Sequence, residues 1–498
     1  MAEQIFLSDS RTAVDRKYVG FTPNGGSIKP VHVAGGVFRS IYGEYNTTMS
    51  IKRLALVSDA KGVVPKGNEL DTIYDSMKAS EKIEESVTAN SLESLRNVMQ
   101  RLLSADKGVY VVKGLKDDMI SYSAGSSYFI TRRSMYEDTG EFIGALIKEY
   151  CPDLANYIKD VLSSANDPIS LLFEPVLEAD MENFQDVSRH EDLPAFQTIN
   201  ENTAWFLQGI KESGLCLLDN FKVHPNALTQ LRLFNFFCIF HLIRYMAMLE
   251  AFYCGEQIRP ILLDFSGKAP SQSSIARASE MSYTQMHKSI NRFYAWGYSQ
   301  WLEENGFDKK ELLECDVPTY KKDKKISSTS KDELETLWSL AKEHAEDAAS
   351  EDDVRLTFGE TMYDMLALEA SSHPVNCLKV LGTSSGILYP PDKLHPNKRF
   401  VLSQDVLEMM LRSCVGPNEV LNGKEIRERL WERFGIIIGG SQFELDKIRQ
   451  SGMIMQVDED ALEANFTSFA TALESMDFAE EMADGILQIR FGGLSNDQ

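Results

Sequence analysis

The stretch "LLDFSGKAPSQSSIARASEMSYTQMHKSINRF", Leu262 to Phe293, admits two readings that lead to different proteins. In its first half, "SGK" has the look of the end of a phosphate-binding loop. In its second half, "SIARASEMSYTQMHKSIN", Ser274 to Asn291, has the look of two short helices around a turn. A phosphate loop needs GxxxxGK[ST], because the glycines let the backbone close on the phosphates and the final hydroxyl binds magnesium. Leu262 stands at the first glycine position and Ala269 at the hydroxyl position, so two of the four fixed positions fail. The nucleotide reading loses its mechanism, and no cofactor is expected.

The second half is better formed. Ile275 and Ala276 occupy apolar positions on a first helix, and Met281 is the apolar residue after the turn. Ser282 is a good N-cap for a second helix, whose inward stripe is Met286 and Ile290. Over residues 274–292 the pattern resembles the helix-turn-helix of lactose-repressor-type transcription factors. Glu280 stands where that turn carries glycine. The resemblance implies double-stranded DNA as a partner, met by Tyr283, Thr284, Gln285, Lys288 and Arg292 facing outward. Gln pairs with adenine, and Lys with guanine or phosphate. Between Lys268 and Arg292 four bases stand against one acid, a net of +3. The same pattern also arises from two core helices joined by a polar turn. The segment indeed lies between two very apolar runs, "FNFFCIFHLIRYMAML" and "INRFYAWGYSQWL".

Composition bounds both readings. With 498 residues, the chain is long enough for roughly two to four domains. Its net charge of −23 repels nucleic acid and anionic membrane, so DNA contact needs a local basic face. Seven cysteines, an odd number without a CxxC pair, favour reduced thiols and a cytoplasmic location. The N-terminus has no apolar signal core. The run Leu231–Cys254 is interrupted by Arg232, Asn235, His241, Arg244 and Glu250. Such polar groups suit a buried core helix rather than a membrane span, and no membrane partner is expected.

The expected fold is mainly α and multidomain. Residues 1–150 read as a mixed α/β region, with "VHVAGGVF", "SIKRLALVSD", "GVYVVKG" and "SSYFITRRS" as strands and helical periodicity over 70–104. Residues 151–399 read as a helical domain carrying the helix-turn-helix candidate at 274–292. Within it, Asp316–Glu333, with its "KKDKK", reads as an exposed linker. Residues 400–498 read as a winged-helix-like domain. Its helices are "SQDVLEMMLRSC", "NGKEIRERLWERF" and "SQFELDKIRQ", and its strands "MIMQV" and "GILQIRF", with a helical insertion between the strands. The charges of Lys424–Arg433 alternate at helical pair spacing, as on a self-paired, solvated face. From Glu444 to Asp484, eleven acids stand against two bases, a net of −9. That charge favours protein contact over DNA contact. "FGIIIGGS" reads as a turn.

No catalytic or metal site emerges. The eight histidines form no HxH, HxxxH or HExxH, and His241 on its apolar helix reads as a satisfied core histidine. "SRHEDLP" reads as solvated charge. The expected function is therefore a non-enzymatic, DNA-associated subunit of a prokaryotic multiprotein assembly. Its layout resembles accessory subunits of anti-phage defence systems, which implies other protein subunits as partners. The alternatives are a pure protein-interaction scaffold without DNA contact, or an enzyme whose site is assembled from distant residues.

Overall fold

The computed structural model describes residues 4–23, 28–46, 138–164, 184–186, 193–320, 328–368, 373–392, 395–451, 457–482 and 486–491, with scattered positions between 74 and 94. The chain is mainly α-helical. Its first helices are α1 (Leu7–Val14), α2 (Pro30–Tyr42), α3 (Asp138–Tyr150) and α4 (Pro152–Ser164). The middle of the chain forms α5 (Glu201–Val223), α6 (Ala227–Cys254), α7 (Ser274–Glu304), α8 (Lys309–Glu314), α9 (Ser328–Glu346), α10 (Glu351–Ala367) and α11 (Pro374–Ser384). Towards the C-terminus lie α12 (Gln404–Arg412), α13 (Gly423–Phe434), α14 (Gln442–Gln450) and α15 (Glu459–Glu474).

The strands are short. β1 (Glu44–Asn46) pairs antiparallel with β2 (Phe184–Asp186). β3 (Ile261–Leu262) runs parallel to β7 (Ile436–Ile437), and β4 (Leu388–Tyr389) antiparallel to β5 (Arg399–Phe400). β6 (Leu421–Asn422), β8 (Ala479–Glu481) and β9 (Leu487–Ile489) form an antiparallel sheet in the order β6-β9-β8.

Helix α6 is buried along most of its length, and each of its polar residues has an internal partner. The helix starts at Asn226, whose side chain accepts from the Thr229 amide at 3.0 Å, and stops at Gly255, at a φ of 71°. Arg232 lies 3.5 Å from Asp405, and Asn235 donates to the Pro30 carbonyl at 3.3 Å. His241 and Arg244 bond each other, and Glu250 receives Ser289 and Arg292 from α7. By length and composition α6 could cross a membrane, but most of its apolar window is buried inside the fold. Each buried Leu, Phe or Met contributes about 1.5–3 kcal/mol of transfer free energy.

Helix α7 overturns the helix-turn-helix. It is one uninterrupted helix of 31 residues, about 46 Å long at 1.5 Å per residue. Ser273 caps its start, accepting from the Ala276 amide at 3.2 Å. No glycine or proline falls between Ser274 and Trp296, so nothing breaks the backbone where the turn was expected. Glu280 has no cheap route to a positive φ and stays helical. Ser282, expected as an N-cap, sits in mid-helix. Its hydroxyl donates to the Pro260 carbonyl at 2.7 Å and accepts from the Leu262 amide at 3.3 Å, tying α7 to β3.

The N-terminal expectation also changes. "VHVAGGVF" is the body of α2, not a strand. Pro30 supplies a helical φ at the first position, and the Lys29 amide donates to His32 Nδ1 at 3.2 Å. The glycines that suggested strand ends serve a close helix crossing. A Cβ on Gly140 of α3 would lie 2.2 Å from the Val33 carbonyl oxygen and 3.0 Å from Gly36 Cα. Beside that crossing Arg39 and Glu141 form a buried ion pair at 3.4 Å. "SIKRLALVSD", "GVYVVKG", "SSYFITRRS" and "KKDKK" lie outside the described residues, as does most of "SRHEDLP".

A single cluster of buried apolar residues runs from Ile5 to Phe491. A smaller one joins Leu262, Ile275 and Ala278 to Ile437, Leu445, Ile448 and Leu462. At the C-terminus "FGIIIGGS" is more than a turn, because Ile436 and Ile437 form β7 against β3. "MIMQV" falls, up to its last residue, outside the described residues. The long helix α15 precedes both β8 and β9, which form a hairpin closed by the Met482 amide on the Ile486 carbonyl at 3.0 Å. On α13 only Lys424 and Glu428 pair along the helix, at 3.6 Å. Arg427 reaches Glu444 at 3.4 Å and Arg429 reaches Glu419, so these cations knit the unit together rather than facing solvent as a self-paired row.

Candidate functional site

The residues expected on DNA do not form one outward face. Tyr283 is only 4% exposed, with its ring against Phe400 at 6.4 Å, and burial pushes its hydroxyl pKa up. Gln285 is half-buried and accepts from Arg259 Nη1 at 3.3 Å. Arg292 grips Glu250, with Nη2 to Oε2 at 2.9 Å and a second bond from Nε. Thr284, Lys288 and Arg292 are exposed, as expected, though Arg292 is held by Glu250, and the Thr284 hydroxyl donates to the Glu280 carbonyl at 2.9 Å. With Arg277 they leave a thin outer stripe on α7, while Met286 and Ile290 are buried as expected.

Beneath that stripe lies a cavity that the sequence reading did not find. It holds about 510 Å³ of unoccupied space, part of it continuous with solvent. Three helices and a strand meet there: Trp205 comes from α5, Arg244 and Glu250 from α6, Ser282 and Met286 from α7, and Ile261 from β3. The Gln257–Pro260 loop and Phe434–Gly435 complete the wall. The part of the cavity that a water-sized molecule can occupy is only about 30 Å³, well below the about 300–1,000 Å³ usual for small-molecule sites.

The cavity's charges are unevenly answered. Glu250 is satisfied several times over: it accepts from Ser289 Oγ at 2.6 Å and from Arg292, and Arg259 Nη2 lies 3.5 Å away. Arg244 is the opposite case. It is 1% exposed, and its guanidinium carbon lies 5.2 Å from the Trp205 ring, 5.1 Å from Phe206 and 5.6 Å from Phe434. Nη1 meets His241 Nδ1 at 3.1 Å. Among the described residues its Nη2 has no hydrogen-bond partner. Burial alone pulls its pKa down, from 12.5 to about 9, so it is still a cation at neutral pH.

The histidine beside it cannot be the counter-charge. Arginine only donates, so His241 Nδ1 must be the acceptor and its proton sits on Nε2, 3.3 Å from Ser213 Oγ. Burial and the Arg244 charge both hold His241 well below its usual range, hence neutral. Among the residues that line it, Arg244 and Arg259 stand against Glu250, a local charge of +1 inside a chain of net −23. The sequence signal was available: Arg244 and Glu250 were among the polar interruptions of the apolar run. Their spacing alone does not say which finds a partner, since Glu250 is answered from α7, some forty residues away.

Among the described residues no group of three or more His, Cys, Asp or Glu gathers to hold a metal ion. All seven cysteines are free, and burial raises the thiol pKa of Cys238 and Cys414. No protein-family model matches the chain, and no curated protein matches it.

Proposed function

We propose that the chain is a non-enzymatic subunit of a multiprotein assembly, of the accessory kind found in prokaryotic anti-phage defence systems, and that it works by protein contact through its C-terminal unit. The observation that carries this reading is the charge on α15 and the hairpin after it. From Asp458 to Asp484 there is no lysine or arginine. Asp458, Glu459, Asp460, Glu463, Glu474, Asp477, Glu480 and Glu481 are all exposed. The order α12, β6, α13, β7, α14, α15, β8, β9 and the sheet order β6-β9-β8 support a winged-helix-like unit with β7 and α14 inserted. In DNA readers of related design the recognition helix enters the major groove, between two phosphate backbones. A helix as acidic as α15 is repelled there and complements a basic protein surface instead. Exposed Met482 and Phe443 offer apolar contact within the acidic field. Free thiols throughout fit a reducing, cytoplasmic setting.

A second reading keeps double-stranded DNA, met by the phosphate backbone rather than by base edges. The outer stripe of Arg277, Thr284 and Lys288 on α7 favours it. Native purification separates the two. The protein-contact reading expects a basic partner chain to co-elute with the wild type and to be lost from Glu459→Gln/Glu474→Lys/Glu481→Lys. Equal recovery of that chain with both proteins overturns it.

A further inference from the structure

A cleft opens to solvent between the end of α1, the turn that follows it, residues 194–200 and the end of α6. A water-sized molecule can occupy about 820 Å³ of it, within the about 300–1,000 Å³ usual for small-molecule sites. Two cations, Arg16 and Lys17, line the cleft and no carboxylate does, in a chain of net −23. Arg16 is exposed and has no partner among the described residues. Lys17 gives one N–H to Glu304, and an ammonium has two more to give. We propose that this cleft is a binding site for a small phosphate ester carrying a flat ring, the chemistry of a nucleoside monophosphate, and that Arg16 and Lys17 receive its phosphate.

The walls are built before a ligand arrives. The turn that carries both cations, Asp15–Val19, is π-helical, a rare form that recurs at functional sites. It is anchored from inside, where buried Asp15 accepts from the Tyr294 hydroxyl at 2.7 Å and from Arg11 Nε at 3.2 Å. The Gly20 amide closes it on the Asp15 carbonyl at 2.8 Å. The Tyr253 hydroxyl donates to the Tyr18 carbonyl, and Asn200 Nδ2 to the Phe252 carbonyl, each at 2.8 Å, so the three walls are bonded to one another. A preformed cleft spares the ligand the cost of ordering it. The chemistry of the ligand follows from the lining. A phosphate ester carries close to two negative charges at neutral pH and answers two adjacent cations, where a carboxylate answers one. Tyr18, Phe252 and Tyr253 give an aromatic floor, with the Tyr253 ring stacked on Trp296 at 5.1 Å, and a flat ring packs on such a surface. Gln197 and Thr198 are exposed at the rim, and their side chains have no hydrogen-bond partner among the described residues. They offer donors and acceptors to ring edges or sugar hydroxyls.

The test titrates the full-length protein by calorimetry with AMP and UMP, with adenosine as the ring without phosphate, and with inorganic phosphate as the phosphate without a ring. At least one of the two nucleotides is expected to bind tenfold or more tighter than adenosine and than inorganic phosphate. Arg16→Gln is expected to weaken that nucleotide at least tenfold and to leave adenosine and the melting temperature unchanged, since the Arg16 side chain holds nothing in the fold. Gln197→Ala, likewise exposed, is expected to weaken the nucleotide and to leave inorganic phosphate unchanged. Three results would overturn the proposal: no binding of either nucleotide at millimolar concentration, adenosine or inorganic phosphate binding as tightly as the nucleotides, or nucleotide binding unchanged in Arg16→Gln.

Discussion

The continuity of α7 can be tested at one residue, Glu280, where helix and turn make opposite demands. In a turn of the helix-turn-helix kind this position takes a positive φ, and Glu280→Gly would relieve strain and stabilise. In an unbroken helix the same change removes a good helix former. It then costs about 0.5–1 kcal/mol, the difference in intrinsic propensity. Glu280→Pro sharpens the contrast. Within α7 it deletes the N–H hydrogen bond donated to the Ala276 carbonyl and drives the proline ring against that oxygen, at a cost of about 3 kcal/mol or more. The position is half-buried, and the Glu280 carbonyl also accepts the Thr284 hydroxyl at 2.9 Å, a bond that a kink would disturb. The downstream half of α7 carries buried Phe293, Tyr294 and Tyr298, so a kink at 280 is felt in the core. Urea unfolding followed by far-UV circular dichroism reads both variants. The expected order of midpoints is wild type, then Glu280→Gly, then Glu280→Pro well below. A Glu280→Gly midpoint above the wild type, or a Glu280→Pro midpoint close to it, would refute the continuous helix.

Two further outcomes follow from the packing and the titrating groups. Gly359 of α10 crosses α7 so closely that a Cβ would lie 2.4 Å from the Ala295 carbonyl oxygen. Gly359→Val is therefore expected to leave little soluble protein, whereas Gly255→Ala, with nothing within 4 Å, costs only its backbone strain; soluble yield and melting temperature compare the two. Burial, with help from His287 and Arg11, pulls His373 down from 6.5 to about 4. Its stabilising contribution is thus complete above pH 6.5 and lost as the pH falls through 4, worth up to about 3 kcal/mol at 1.36 kcal/mol per unit. Asp15 acts the other way: burial raises it from 3.8 to about 6, so its contribution is complete below 3.8 and lost as the pH rises through 6. His373→Gln is expected to flatten the fall in stability between pH 6.5 and 4, and Asp15→Asn to steepen it, as read from urea midpoints across that range.

The sequence made the helical character of the chain legible, because periodicity and apolar runs carry it. Burial of the Leu231–Cys254 run was also readable, since five polar residues there needed protein partners. The helix-turn-helix was not resolvable from pattern alone. An apolar stripe at 275, 286 and 290 suits two short helices as well as one long one, and only Glu280 marked the difference. "VHVAGGVF" misled because glycine punctuates strands and also lets helices touch; which role it plays depends on Gly140, about a hundred residues away. The cavity was illegible for the same reason. Arg244 stands out only once Trp205, Phe206 and Phe434 surround it and Glu250 is seen to be taken by α7.

The central claim is contact through an acidic C-terminal face rather than through DNA. It is tested most directly by titrating the full-length protein, at several salt concentrations, against its co-purifying partner and against duplex DNA. The account predicts that the partner binds with an affinity that falls with salt and drops at least tenfold for Glu459→Gln/Glu474→Lys/Glu481→Lys, with the melting temperature unchanged. It predicts no measurable DNA binding at physiological salt. It is contradicted if duplex DNA binds instead, with a log–log salt slope that loses about one unit in Lys288→Ala, while the acidic-face variant holds its partner as tightly as the wild type.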